Sequence, residues 1–276
     1  MPELPEVETI KETLKLQILN KTIHNIFVFY DKIITNSSEE EFKKKLIGET
    51  LIDIKRYGKY LFFIFNHITL VSHLRMEGKY FLKPKTDPFE KHEHIIFEFT
   101  DGLTLRYHDV RKFGTMELKA IGEELSAKGV STLGIEPFEL EFTSEYLKNK
   151  IHNSSRPIKS LLLDQTIVCG LGNIYVDEVL FLSKIHPKTQ GKNLNDFDIS
   201  QLIVQTPIVL NKAILLGGTT IRSYVSSLGV SGRFQNELNV HTLKGKSCKV
   251  CSQEIVKIKV GGRGTYFCPT CQIKSE

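Results

Sequence analysis

Apolar residues recur along this chain in two rhythms. Val7, Ile10, Leu14 and Ile18 follow one another at spacings of three and four, which predicts a helix with one face turned to a core. Pro5 suits the first turn of that helix, where a missing N–H costs nothing, and Glu6 and Glu8 sit against the positive end of its dipole. From residue 22 to 119 the pattern changes to short runs of β-branched and aromatic residues. They predict eight strands, at 22–30, 51–57, 59–65, 68–74, 78–83, 93–100, 103–108 and 115–119, with a helix at 39–46 inserted in the series. Asp101-Gly102 is a strong hairpin turn between the sixth and seventh strands. Eight short strands with close turns suggest an antiparallel sandwich or barrel. Gly134 and Pro137 mark a linker. Beyond it helices dominate, near 143–151, 157–166, 172–184 and 197–216, with Gly217-Gly218 stopping the last. Thr219 to Gln235 is rich in Ser and Gly and reads as a mobile loop. The class is α+β, divided as 1–131, a linker 132–140, a helical part 141–235 that includes the loop 219–235, and a tail 236–276.

Composition adds a location. With 41% hydrophobic residues the chain can build real cores. No apolar run approaches the roughly 18 residues of a membrane span, and the start has no basic or apolar leader, so the protein is expected in the cytosol. The net charge is +5. From Val240 to Glu276 there are seven Lys/Arg against two acids, so the whole formal excess lies in the tail and points to a polyanion. The same tail carries Cys248-x2-Cys251-x16-Cys268-x2-Cys271, the spacing of a four-cysteine zinc ribbon. Four thiolates complete a tetrahedral shell and leave no place for water, so one structural Zn²⁺ is expected. Its charge compensation reduces the basic excess by two. Cys169 is left over and reads as a small buried hydrophobe. Between the cysteine pairs, 255–260 alternates as a strand, Gly261-Gly262-Arg263-Gly264 turns, and 265–267 returns. That places Arg263 among glycines at a hairpin tip, where a phosphate can approach closely and be held bidentately.

Two further stretches carry chemistry. If Met1 is trimmed, Pro2 becomes the terminus beside the carboxylate of Glu3. An α-amino group titrates near ~8, far below lysine, so much more of it is free base at neutral pH. A secondary amine that attacks a carbonyl carbon gives an iminium, a persistent electron sink. The residues alone favour the plainer reading, a helix cap with a chance proline. In Gly170-Leu171-Gly172-Asn173-Ile174-Tyr175, Asn173 and the amides of a helix start could hold a phosphate, or simply cap the helix.

Taken in order, these motifs resemble the formamidopyrimidine-DNA glycosylase family over the full length. The similar segments are Pro2-Glu3-Leu4-Pro5-Glu6-Val7-Glu8-Thr9, His73-Leu74-Arg75-Met76-x-Gly78, Asp109-Val110-Arg111-Lys112-Phe113-Gly114, Gly172-Asn173-Ile174-Tyr175 and the four-cysteine finger. The resemblance implies an N-terminal β-sandwich that carries catalysis and a C-terminal helix-two-turn-helix domain with a zinc-ribbon hairpin. DNA is expected in the cleft between them. It implies a monomeric base-excision-repair enzyme with glycosylase and abasic-site lyase activities, acting on 8-oxoguanine and formamidopyrimidines in duplex DNA. Pro2 is then the nucleophile at the sugar C1′, Glu3 the acid/base at the deoxyribose, and Lys59 a second base or proton donor that touches a phosphate. His73, Asn173, Lys257 and Arg263 resemble the phosphate pincers, Arg263 also assisting the last elimination, while His92 and Lys159 fall at DNA-contact positions. A base inside a duplex cannot be attacked at C1′, so the nucleotide is flipped out. Met76, Arg111 and Phe113 resemble the set that fills the hole, and the loop 219–235, with Arg222 and Tyr224, the segment that caps the lesion. His241 departs from a tyrosine frequent among phosphate contacts, and Ser154-Ser155-Arg156-Pro157 replaces a more lysine-rich stretch.

Two other readings compete. An endonuclease VIII-type enzyme for oxidised pyrimidines shares Pro2-Glu3 and the finger, but the run Leu4-Pro5-Glu6-Val7 and the set Met76, Arg111, Phe113 favour the purine enzyme. A non-catalytic zinc-dependent DNA-binding protein requires a retained or blocked Met1.

Overall fold

A computed structural model describes residues 1–219 and 232–274. Arg222 and Tyr224 lie outside the described residues. The chain divides into two compact units. One comprises Met1–Ser131 with Thr219 and Gly232, the other Thr132–Gly218 and the chain from Arg233 onward.

The first unit is a β-sandwich with helices on its margin. Helix α1 (Leu4–Ile18) buries Val7, Ile10, Leu14 and Ile18, the face that the spacing predicts. Strands β1 (Ile23–Val28), β5 (Lys79–Pro84), β6 (Glu93–Phe99) and β7 (Leu103–His108) form one antiparallel sheet in the order β1-β6-β7-β5. Strands β2 (Leu51–Tyr57), β3 (Tyr60–Phe65), β4 (Ile68–His73) and β8 (Thr115–Ala120) form the other, in the order β2-β3-β4-β8. Phe63, Leu70, Tyr80, Ile95, Phe97, Leu105 and Tyr107 are among the residues of its buried core. Helix α2 (Glu39–Leu46) adds Phe42 and Leu46, and Ser38 caps it by accepting from Glu41 N–H. Of the two architectures that eight short strands with close turns allowed, the sandwich is the one adopted. The eight strands and α2 stand within two residues of their expected bounds at each end, because short apolar runs bounded by turn residues are a local property of the sequence.

The second unit is helical. Its helices are α3 (Ser144–Ile151), α4 (Ile158–Leu162), α5 (Asn173–Leu182) and α6 (Asp196–Leu215), followed by a hairpin of β9 (Val256–Val260) and β10 (Arg263–Phe267). Thr143 caps α3, and Asn195 with Asp198 forms a capping box on α6. Helix α4 stops four residues short of the expected 166. The chain after it is claimed by the stretch read as a linker: Gly134 N–H donates to Gln165 O and Cys169 N–H to Ile135 O. Residues 134–135 are thus packed structure. Phe234–Asn236 forms a single 3₁₀ turn across the end of the stretch read as loop. Thr219, expected with the helical part, belongs to the first unit because its N–H and hydroxyl both donate to Glu6 Oε1, at 2.7 and 3.0 Å.

Candidate active site

The start of the chain is anchored. Pro2 is buried while Met1 is 48% exposed. Glu3, 5% exposed, is the N-cap of α1, with extended φ and ψ of −98° and −177°. Its N–H donates to Glu6 Oε2 at 2.9 Å, and its carbonyl accepts from Val7 N–H at 3.0 Å. Glu6 therefore serves two elements, holding the N-cap with one carboxylate oxygen and Thr219 with the other. Sequence reading gave it only a place at the helix dipole.

Lys59 is tied to the same helix by another route. Tyr57 pairs with Tyr60, so Gly58-Lys59 is a two-residue hairpin turn. Gly58 has φ +57°, the left-handed conformation that a glycine supplies at the first turn position. Arg56 ties this turn to α1: Nη1 donates to Gly58 O at 3.0 Å and Nε to Glu8 Oε2 at 2.7 Å. The arrangement fixes Lys59, itself only 6% exposed, relative to the helix that carries Pro2 and Glu3.

His73 ends β4 opposite Tyr60, whose ring meets its imidazole edge-on at 4.3 Å. Burial, then the charges of Arg75 and Lys59, push its pKa down to about 3. Its Nδ1 accepts from Arg75 N–H at 2.9 Å, so the ring is neutral with the proton on Nε2. Such a ring can donate to a phosphate without changing charge near neutral pH.

Met76, Arg111 and Phe113 are carried by two loops that meet on Tyr107. A side-chain carbon added at Gly78 or Gly114 would come within 2.4 or 1.6 Å of the Tyr107 hydroxyl, so both positions require glycine. Fully buried Asp109 shapes the second loop, accepting N–H from Arg111 at 3.0 Å and from Phe113 and Gly114 at 2.9 Å each. All three predicted filling residues end up exposed, and the Arg111 guanidinium lies 4.7 Å over the Phe113 ring. An exposed phenylalanine at 53% is what a wedge requires and what a core residue does not show. His92, at φ +73°, lines a depression with Phe29, Phe89 and Lys112.

In the second unit, Asn173 opens α5 after a corner pinned by Gln165, which donates to Leu171 O and accepts from Gly170 N–H. Asn173 Nδ2 donates to Gly264 O at 3.0 Å, and its Oδ1 is buried with no hydrogen-bond partner among the described residues. Arg263 is exposed, as is Lys257, whose ammonium lies 5.1 Å over the Tyr266 ring. Arg263 pairs with Val260 as the first residue of β10, beside the Gly261-Gly262 turn rather than in it.

Two expectations change. Lys159 is not a surface contact. It is 0% exposed, with Nζ bonded to Asp177 Oδ1 at 2.7 Å and to Gly264 O at 3.1 Å. A charge this deep needs an internal partner, and Asp177 provides it. His241 is buried too, its Nδ1 donating to Asp177 Oδ2 at 2.8 Å. In the 154–157 stretch, Arg156 pairs with Asp164 at 2.9 Å.

The four cysteine sulfurs lie within 4.8 Å of one another, with Cys248–Cys271 at 3.9 Å and Cys251–Cys268 at 3.4 Å. Tetrahedral zinc with Zn–S near ~2.3 Å spaces its sulfurs by about 3.8 Å, so the donor set fits Zn²⁺. Val250 and Cys271 N–H groups donate to the Cys248 and Cys268 sulfurs, at 3.4 and 3.5 Å, and help hold their orientation. Cys169 is buried, as expected.

Comparison with known proteins covers the chain. Residues 1–116 match the formamidopyrimidine-DNA glycosylase N-terminal domain, 133–225 the H2TH domain of the same proteins, and 245–273 a zinc finger found in FPG and IleRS. A formamidopyrimidine-DNA glycosylase of Oceanobacillus iheyensis is 50% identical, over 99% of this chain and 98% of its own. A Lactococcus lactis FPG variant solved with Fapy-dG-containing DNA superposes with TM-score 0.93 at 45% identity, covering 99% of this chain and 100% of that one. The Lactococcus lactis Fpg in complex with abasic-site DNA gives the same score, identity and coverage.

Proposed function

The chain belongs to the formamidopyrimidine-DNA glycosylase family, and from that membership we propose how its own residues excise a damaged base. It is a DNA glycosylase of base-excision repair whose substrate is duplex DNA bearing an oxidised purine or an abasic site. No helix among the described residues is long and apolar enough to cross a membrane, and we place the enzyme in the cytoplasm, acting as a monomer.

One observation carries the reading: Pro2 is buried immediately before the N-cap of a packed helix whose Glu8 is linked through Arg56 to the Lys59 turn. A nucleophile, a carboxylate and an ammonium are thereby held by rigid elements, as a reacting centre requires. After removal of exposed Met1, the Pro2 nitrogen attacks C1′ of a flipped nucleotide. The C1′–N bond to the base breaks as the new C–N bond forms, and the base leaves with a proton. Glu3 moves the proton that opens the deoxyribose, giving the iminium. Loss of a C2′ hydrogen, with Lys59 as base, expels the 3′ phosphate, and a second elimination expels the 5′ phosphate. Met76, Arg111 and Phe113 fill the vacated stack. His73, Asn173, Lys257 and Arg263 hold phosphates, and His92 reaches the backbone beside them. Zn²⁺ supplies structure only, with Cys248, Cys251, Cys268 and Cys271 fastening the hairpin that carries Lys257 and Arg263.

Borohydride reduction during turnover tests this reading. The expected result is a covalent adduct with 8-oxoguanine DNA, which mass spectrometry places on Pro2. An adduct on Lys59, or none, refutes the assignment. Faster cleavage of thymine-glycol than of 8-oxoguanine duplexes would move the enzyme to pyrimidine repair.

A further inference from the structure

The two groups assigned here to phosphates in the second unit, Asn173 and Arg263, are 90 residues apart in sequence and have separate scaffolds. Asn173 opens α5, and Arg263 opens β10. One direct hydrogen bond links them, from Asn173 to Gly264 beside Arg263, and the remaining contacts between the two scaffolds converge on Asp177, one turn into α5 and 1% exposed. Its Oδ1 accepts from Lys159 Nζ at 2.7 Å. Its Oδ2 accepts from His241 Nδ1 at 2.8 Å and from the Tyr266 N–H of β10 at 3.2 Å. Lys159 passes the connection on, donating to Gly264 O at 3.1 Å, and that same carbonyl accepts from Asn173 Nδ2 at 3.0 Å. Gly264 directly follows Arg263. Glu178, next to Asp177 in α5, holds the approach to the zinc ribbon, accepting N–H from Asn239, Val240 and His241 at 2.8, 3.0 and 2.9 Å. Gly261 in the hairpin turn also lies so close to Ser160 that an added carbon would fall 2.6 Å from its hydroxyl.

We propose that Asp177 is a positioning residue for DNA binding: through Lys159 and the Tyr266 amide it sets the backbone of the zinc hairpin against α5, so that Arg263 and Asn173 meet one stretch of sugar-phosphate backbone. This rests on the phosphate-holding role given to those two residues above. Asp177 touches no substrate. A buried carboxylate with three donors on three separate segments has no purpose that a hydrophobic residue would not serve equally well, unless the relative placement of those segments matters.

Binding of the zinc-loaded enzyme to a duplex with a tetrahydrofuran abasic analogue is measured across salt concentrations, for the parent and for Asp177→Asn. Because Asp177→Asn strands the Lys159 ammonium, a second variant, Asp177→Leu with Lys159→Met, removes the pair while keeping its volume. Zinc content and thermal melting report folding. The expected result is full zinc, affinity lower on the order of ten-fold, and a log Kd against log salt slope reduced by about 1. In an Arg263→Ala background the further loss vanishes, because the hairpin no longer carries the contact that Asp177 positions. Unchanged affinity and slope, or losses that add fully to those of Arg263→Ala, overturn the proposal. Loss of zinc in both variants makes Asp177 a folding residue and overturns it as well. If Asn173→Ala and Arg263→Ala each bind like the parent, the phosphate-holding role is what fails, and the positioning role falls with it.

Discussion

Replacing His73 by Asn probes the electrostatics of the first unit directly. Asn keeps an acceptor where Nδ1 receives the Arg75 N–H but removes the titrating ring. In the folded protein His73 is 7% exposed and its pKa is held at about 3 by burial and by the Arg75 and Lys59 charges. In the unfolded chain it returns to about 6.5. Between those values the unfolded chain binds a proton that the folded one refuses, so stability falls as pH drops below about 6.5 and levels off only near 3. Above 6.5 the group contributes no pH dependence. At pH 5 the gap spans about 1.5 pH units at ~1.36 kcal/mol each, or about 2 kcal/mol. Urea unfolding at pH 7.5 and pH 5 should therefore show the parent losing about 2 kcal/mol more than His73→Asn on acidification. Burial also lowers the pKa of His94, His108 and His186, but these residues are common to both proteins and cancel in the difference. Nitrogen NMR of the imidazoles gives an independent reading, in which His73 should stay in its Nε2–H form through pH 5. Equal acid losses in the two proteins, or a His73 signal titrating near 6.5, would refute the reasoning. The substitution should also weaken abasic-site DNA binding at neutral pH, where only the Nε2 donor is lost.

Other expectations follow from single contacts. Arg106 is fully buried and donates to Glu93, Thr104 and the carbonyls of Pro84, Asp87 and Pro88; Arg106→Met should cost about 3–5 kcal/mol in urea unfolding, since those acceptors lose their cation. Asp109→Asn should cost about 1–3 kcal/mol and slow duplex cleavage, because the loop bearing Arg111 and Phe113 loses its charged acceptor; a variant with parental rates would show that the loop holds its shape without it. Cys268→Ala should release zinc to a colorimetric chelator and lower the salt slope of DNA binding by about 2, as Lys257 and Arg263 lose their platform. Retention of zinc by that variant would contradict the four-thiolate centre.

Much of this molecule was legible before any coordinates. Strand and helix positions follow from apolar runs, their spacing and the turn residues between them, which each segment carries by itself, so α1, α2 and the eight sandwich strands stand near their expected bounds. The zinc ligands follow from spacing, because two cysteines three apart at each end of a hairpin have few other uses. Helix α4 was overestimated because its end is set by a partner, the 134–135 segment, that propensity does not register.

What the sequence could not decide was which charged residues face solvent. Lys159 looks like any basic residue of a DNA-binding protein, yet its ammonium is enclosed by Asp177 and a carbonyl 105 residues away. Glu6, Asp109, Asp177 and Tyr107 are ordinary letters in a string; their roles as hubs exist only once distant amides and glycines converge on them. Periodicity and ligand spacing are encoded locally, so the chain alone determined its elements, its metal and its candidate chemistry. Burial of a charge and convergence of hydrogen bonds depend on distances between segments far apart in the chain, and those only the tertiary structure decided.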